Sequence, residues 1–178
     1  KERNVNLISC GAQAIIPLIS QLEAPSYVEI VSSVASKSAG MGTRDNIDQY
    51  TQTTSDAITY FCKVKAKSII IISPAQPPLI MHNTIFSQGA KKPDLTKIVK
   101  AMKHYVPGYN LTLEPIFETN RLTFMNEVIG QGDYLPPYAG NLDIINAAAI
   151  AVAEAYAGED KILKASKELK TNPMEALS

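Results

Sequence analysis

Ser68-Ile69-Ile70-Ile71-Ile72 constrains the fold more than any other stretch of this chain. Four successive isoleucines are branched at Cβ, stiff at χ1 and better suited to a pleated strand than to a helix. The run has no polar alternation. That is the signature of a central strand buried on both faces. A chain carrying it must build a sheet and must cover that sheet.

The rest of the sequence supplies both parts. Tyr27–Ala35 is rich in Val, Ile and Tyr and reads as a second strand. Leu79–Phe86 reads as a third, and Asn4–Ser9 as a short buried one. Leu111–Phe117 and Thr123–Ile129 read as a strand pair around Thr119-Asn120. Helical spacing of apolar residues marks the covering layer. Gln13–Leu22 carries Ile15, Ile16, Leu18, Ile19 and Leu22, and Glu23-Ala24-Pro25 ends it. Asn46–Phe61 carries Ile47, Tyr50, Thr54, Ile58 and Phe61. Pro93 and Asp94 open a helix with Leu95, Ile98, Val99, Met102 and Val106, stopped by Pro107-Gly108. Asn141–Tyr156 is an alanine-rich helix, Asp160–Lys170 a separate charged one, and the end is a polar tail. The expectation is an α/β (α+β) fold, with helices on one face of a mixed or largely antiparallel sheet. We read residues 1–178 as a single domain, since Gly132–Pro137 is too weak a linker to divide it.

Composition narrows the function. The 178 residues are 46% hydrophobic and 19% charged, which fits a folded domain with a core. Seventeen basic residues balance 17 acidic ones, so no basic surface points to nucleic acid or to anionic lipid. No apolar run approaches the roughly 20 residues of a membrane span, and no signal peptide is evident. Two cysteines make no disulfide framework, so a reducing cytoplasm is expected. The chain opens on Lys1 rather than Met, and its natural start is expected upstream.

Ser9-Cys10-Gly11-Ala12-Gln13-Ala14 carries the first candidate for chemistry. A thiol at a helix start sits where backbone amides favour the thiolate and can hold an oxyanion. Small neighbours leave room for a carbonyl. The competing reading is a buried apolar cysteine. Cys62, near a helix end, reads as core filling or a partly exposed structural thiol. Ser38-Ala39-Gly40-Met41-Gly42-Thr43-Arg44 allows close backbone approach to a ligand, with Arg44 available for a phosphate. Thr43 or Asp45 could instead simply cap a helix. The chain has no G-x-G-x-x-G fingerprint. Pro74, Pro77 and Pro78 stiffen the connection into Met81-His82-Asn83-Thr84. His82 and His104 make no metal-ligand spacing with any cysteine or carboxylate, and no metal site is expected. Asn141, in Tyr138-Ala139-Gly140-Asn141-Leu142-Asp143, either caps a helix or offers an amide to a ligand.

Taken in order, these blocks resemble the acylating acetaldehyde dehydrogenases that partner 4-hydroxy-2-oxovalerate aldolases in the degradation of aromatic compounds. Cys10-Gly11-Ala12-Gln13-Ala14 is similar to that family's Cys-Gly-Gly-Gln-Ala nucleophile turn. Ser36–Arg44 is similar to its Ser-Lys-Ser-Ala-Gly-Pro-Gly-Thr-Arg loop. Pro77-Pro78-Leu79-Ile80-Met81 and Tyr138–Asp143 match two further blocks. The resemblance implies a thioester formed on Cys10, NAD as hydride acceptor and coenzyme A as acyl acceptor. It implies that Ser38, Ala39, Gly40, Met41, Gly42, Thr43, Arg44, Asp45 and Asn46, with Asn141, contact the nicotinamide cofactor. It also implies a homodimer, a possible aldolase partner, and a fold like the second domain of semialdehyde and glyceraldehyde-phosphate dehydrogenases. The family's N-terminal Rossmann domain is expected to lie outside this chain, and residues 141–178 are candidates to pack against it.

One departure bears on mechanism. The family usually carries aspartate where this chain has Asn83, and that aspartate is implied to help organise the thiol. Asparagine hydrogen-bonds but cannot serve as a base. A diverged dimerisation or aldolase-docking module is therefore the alternative reading, with a related semialdehyde dehydrogenase as a third.

Overall fold

The β-rich runs meet in one five-stranded sheet, and the amphipathic helices share a single core with one of its faces. The computed structural model describes residues 4–171, with side chains described through residue 158. The elements are α1 (Cys10–Ile19), β1 (Tyr27–Ala35), α2 (Met41–Asp45), α3 (Ile47–Cys62), β2 (Lys65–Ser73), β3 (Met81–Gln88), α4 (Thr96–Lys103), β4 (Tyr109–Glu118), β5 (Arg121–Val128) and α5 (Gly140–Thr171). Short 3-10 turns at Ser36–Ser38 and Pro137–Ala139 precede α2 and α5.

The strand order is β2-β1-β3-β5-β4. β1 and β2 run parallel, and the other neighbours are antiparallel. A parallel pair needs a crossover, which α2 and α3 supply. The sheet is therefore mixed and covered by helices, as the periodicities predict.

Side chains alternate across the sheet, which sorts its two faces. In β1, Val28, Ile30, Ser32 and Val34 are buried, while Tyr27, Glu29, Val31 and Ser33 are half-buried on the other side. The covered face joins Ile30, Ile85 and Phe124 in one row to Ile15, Leu18 and Ile58 from α1 and α3. Tyr109 is fully buried and donates its hydroxyl to the Ala14 carbonyl at 2.5 Å, pinning α1 to β4. Gly140 begins α5 against β5, where an added Cβ would stand 1.9 Å from the Val128 carbonyl oxygen.

Several expectations are corrected. The isoleucine run lies in β2, an edge strand, and Ile71 is 47% exposed. Ile70 and Ile72 pack on the core, so the run is buried on one face rather than two. Asn4–Ser9 pairs with no strand among the described residues. α1 begins three residues earlier than its apolar spacing suggests, because Ser9 caps it, and it ends at Ile19, before Pro25. The 36–44 loop is partly helical. Asp94 does not start a helix; its carboxylate accepts the Thr96 N–H just ahead of α4. Backbone at 157–160 continues as helix, so the two expected C-terminal helices are one. The polar tail beyond residue 171 lies outside the described residues.

Candidate active site

Cys10 is the first residue of α1. Ser9 is extended and caps the helix, its Oγ accepting the Ala12 N–H at 3.1 Å and sharing a 2.8 Å hydrogen bond with Thr54 Oγ1 on α3. That double tie fixes where α1 begins and hence where the thiol stands. The Cys10 Sγ lies 3.8 Å from the Tyr50 hydroxyl, also on α3. Gly11 makes this approach possible, since a Cβ there would lie 2.4 Å from the Tyr50 hydroxyl and 3.1 Å from Ser32 Oγ.

Burial pushes the Cys10 thiol above its ordinary value; the Tyr50 hydroxyl and the backbone amides of Gly11 and Cys10 pull it back without overcoming that cost. The Tyr50 phenol is raised strongly, first by burial and then by the neighbouring sulfur. The resting pair is thus a thiol beside a neutral phenol.

Beneath it runs a polar row. Ser32, Asn83 and Asn126 occupy matched positions on β1, β3 and β5, all with 0% exposure. The Ser32 hydroxyl donates to Asn83 Oδ1 at 2.7 Å. Among the described residues, Asn83 Nδ2 and both amide atoms of Asn126 have no partner. Buried polar groups rarely stay unpaired, so such a row in an apolar core marks a place where packing yields to something else. Asn83 makes no hydrogen bond to Cys10; Ser32 and Tyr50 stand between them.

The glycine loop is braced from within. Arg44 donates from Nε to the Ala39 carbonyl at 3.2 Å, and from one terminal nitrogen to the Ser36 carbonyl at 2.8 Å and Ser36 Oγ at 2.7 Å. Neither Thr43 nor Asp45 caps α3; the position falls to Asn46, whose amide instead donates to the Gly42 carbonyl. Gly40 and Gly42 face open space, and Met41 is 78% exposed. Asn141 does not cap either. It lies inside α5 and donates to the Ser38 carbonyl at 3.0 Å, leaving its buried Oδ1 unpaired. A cleft of about 380 Å³ joins the two parts, lined by Ser9, Gly42, Thr43, Asn46 and Tyr50 among others.

Other candidates lie elsewhere. His82 projects from the opposite face of β3 to Asn83, where its Nδ1 bonds the Ile80 carbonyl and its Nε2 faces Glu127 at 3.4 Å. His104 is exposed after the last residue of α4. Cys62 closes α3, and burial raises its thiol without any hydrogen bond to offset it. Sequence reasoning missed Tyr50 and Ser32 as site residues. The available signal was the bare Gly11 next to a cysteine, which announces a close neighbour without naming it.

A cysteine at a helix start, set over a one-sidedly covered mixed sheet and facing a glycine loop, defines a thiol-bearing α/β domain. Residues 10–136 match the family described as prokaryotic acetaldehyde dehydrogenase, dimerisation, and the chain belongs to that family. It is 49% identical over 170 residues to acetaldehyde dehydrogenase 1 of Dechloromonas aromatica (strain RCB), covering 89% of this chain and 56% of that protein. It is 48% identical over 167 residues to acetaldehyde dehydrogenase of Brevibacillus brevis, covering 88% and 57%. The chain thus spans a little over half the length of these relatives. An aspartate semialdehyde dehydrogenase II structure from Vibrio cholerae aligns over 82% of this chain and 57% of that one, at 7% identity and a TM-score of 0.43.

Proposed function

We propose that this chain is the catalytic and dimerisation part of an acylating acetaldehyde dehydrogenase, turning acetaldehyde or another short aldehyde into acyl-CoA through a thioester on Cys10. The observation that carries this reading is the shared cleft: Ser9 and Tyr50, which flank Cys10, line it together with Gly42, Thr43 and Asn46 of the glycine loop. Cys10 stands behind one wall, next to Ser9 and Tyr50, and the glycine loop forms part of the other.

The nicotinamide end of NAD fits the residues present. Asn141 holds the loop through Nδ2 and keeps a buried acceptor, Oδ1, unspent, which suits a carboxamide N–H. The Ser38–Asn46 loop, with Asn141, would hold that end. When bound, the cofactor supplies the hydride acceptor that converts a thiohemiacetal into a thioester.

The chain's own residues do the rest. The Cys10 thiol adds across the aldehyde C=O, forming the S–C bond and leaving its proton on the former carbonyl oxygen. Backbone amides at the start of α1 are available to that oxygen. Loss of hydride and that proton leaves the thioester, and the coenzyme A thiol then takes the acyl group and returns the proton to Cys10. Dividing the reaction this way replaces one hard step by two easier ones. The bare face of the sheet, with Val31, Thr84, Met125 and Leu113 in one half-buried row, suits a homodimer contact. A reducing cytoplasm, an aldolase partner and a role in aromatic-compound breakdown complete the proposal.

One observation favours a second reading, a weakly catalytic dimerisation module: Asn83 carries no charge and burial keeps Cys10 protonated. The test is NADH production by the natural full-length protein given acetaldehyde, NAD and coenzyme A. Activity abolished by Cys10→Ser is expected. No acyl-CoA from the intact protein, with gain on Asn83→Asp, would favour the second reading.

A further inference from the structure

The cleft beside Cys10 is polar without being charged. Beyond Ser9, Asn46 and Tyr50, it is lined by Gln49 and Thr53 of α3 and by Asn6 ahead of α1; among the described residues no lysine, arginine, histidine, aspartate or glutamate lines it. Arg44, the cation of the glycine loop, spends its guanidinium on Ser36 and Ala39. A phosphate or a carboxylate would therefore find no charged partner there. The polar side chains of α3 divide in the same sense. Away from the cleft they are engaged: the Thr51 and Ser55 hydroxyls donate to the Ile47 and Thr51 carbonyls, Gln52 donates to Asp56, and Thr54 is tied to Ser9. Gln49 and Thr53, on the cleft, make no side-chain hydrogen bond among the described residues. They stand one helical turn apart, about 6 Å along the axis. At about 380 Å³ the cleft is at the small end of ligand sites, with room for one arm of a ligand rather than for a whole nucleotide cofactor.

We infer that the α3 wall of this cleft seats the pantetheine arm of coenzyme A, a neutral chain with two amides and a terminal thiol, and that Gln49 and Thr53 select it. The inference rests on the proposed function and names the residues that hold its acyl acceptor. A two-carbon unit separates the two amides of the arm, which puts their nitrogens about 5 Å apart at standard bond lengths. That spacing matches one turn of α3. The Gln49 amide and the Thr53 hydroxyl each offer a donor and an acceptor, so each can meet one amide of the arm. Tyr50 adjoins Gln49, and its hydroxyl stands 3.8 Å from the Cys10 sulfur. An arm laid along Gln49 and Thr53 brings its thiol beside the residue that touches the nucleophile. The phosphate-bearing end, which meets no cation here, stays outside the cleft. A wall built to hydrogen-bond amides also rejects a simple alkyl thiol, which would leave those groups unpaired.

The experiment measures binding without turnover. The natural full-length protein is titrated, with no aldehyde present, against desulfo-coenzyme A and against desulfopantetheine, which carries the arm and no phosphate; affinities are read by ligand-observed NMR. Gln49→Leu and Thr53→Val change exposed positions and leave the core untouched. Each is expected to weaken both ligands by the same factor, roughly fivefold for one lost hydrogen bond, and to leave NAD affinity at the wild-type value. Affinities unchanged in both variants, a loss confined to the phosphate-bearing ligand, or a loss of NAD affinity instead would overturn the inference. Arm binding that falls as expected, in a protein that makes no acyl-CoA from acetaldehyde, overturns the proposed function and leaves this subsite in place. Acyl-CoA formation in which both variants keep the wild-type KM for coenzyme A does the reverse.

Discussion

Gly140→Ala would separate two functions of one backbone position. The added methyl would sit 1.9 Å from the Val128 carbonyl oxygen and 2.7 Å from its carbon, both backbone atoms of β5. Ordinary contact begins at 3.4 Å, so α5 must retreat from the sheet by about 1.5 Å. No side chain can yield in its place. Overpacking of this kind costs about 1–3 kcal/mol, and a clash against backbone belongs at the upper end. The helix-propensity gain of alanine, at most about 1 kcal/mol, offsets a part. With a urea slope of about 2 kcal/mol/M, a net loss of about 2 kcal/mol lowers the unfolding midpoint by about 1 M. Asn141 follows Gly140 directly, so the same retreat stretches its 3.0 Å bond to Ser38 beyond hydrogen-bonding range. Urea unfolding followed by circular dichroism measures the first effect, and faster amide exchange over residues 36–44 measures the second. Gly42→Ala is the control: nothing lies within 4 Å of its Cβ, and it stands inside α2, so it should be neutral or stabilising. A Gly140→Ala midpoint within about 0.25 M of wild type, or a Gly42→Ala loss as large, would refute the reasoning.

Two further outcomes are expected. Tyr109→Phe keeps the buried ring and removes the hydroxyl that bonds Ala14, and should cost about 1 kcal/mol in urea unfolding; no loss would mean that bond does not hold α1 down. Stability should also fall with alkali. Cys10 and Tyr109 are both raised by burial above their ordinary values of 9.0 and 10.0, so the folded chain keeps protons that the unfolded chain releases. Their contribution is intact below about pH 9 and declines as pH rises beyond it; melting temperatures at pH 8, 9 and 10 should descend, with the first part of the descent reduced in Cys10→Ala and the remainder shared with Cys62, whose thiol is raised too, whereas a flat series contradicts this.

Much of the architecture was legible because it is written in local periodicity. The strand assigned to Tyr27–Ala35 coincides with β1, since one parity of that segment is buried and the other is not. The pair around Thr119-Asn120 is the β4–β5 hairpin. The isoleucine run misled because composition tells how apolar a strand is, while its place in the sheet depends on which strands pair beside it. Asn4–Ser9 has strand-like residues and no partner, and a strand is a property of two segments. The site was half legible. Cys10 and the glycine loop announce themselves by residue type and neighbourhood. Tyr50 reads only as one more apolar position on a helical face, because its meaning arises from a contact 40 residues away. Asn83 was expected to stand where the family's thiol-organising aspartate does, and its hydrogen bond to Ser32 rather than to Cys10 follows from strand register, which the sequence does not display.

The edge position of β2 has a consequence for how this chain reaches its fold. Its sheet partner among the described residues, β1, lies across a crossover of some thirty residues, whereas β4 and β5 are joined by a tight turn. Non-local parallel pairing is slow, so the hairpin forms early and the isoleucine run docks late. Until it docks, a low-charge β-branched segment is presented to other chains, the composition that nucleates intermolecular sheets. Lys65 and Lys67 stand exposed at its entrance, where positive charge resists a second chain adding in register. The same strand that anchors the fold is therefore its main hazard during synthesis, and those two lysines are its guard.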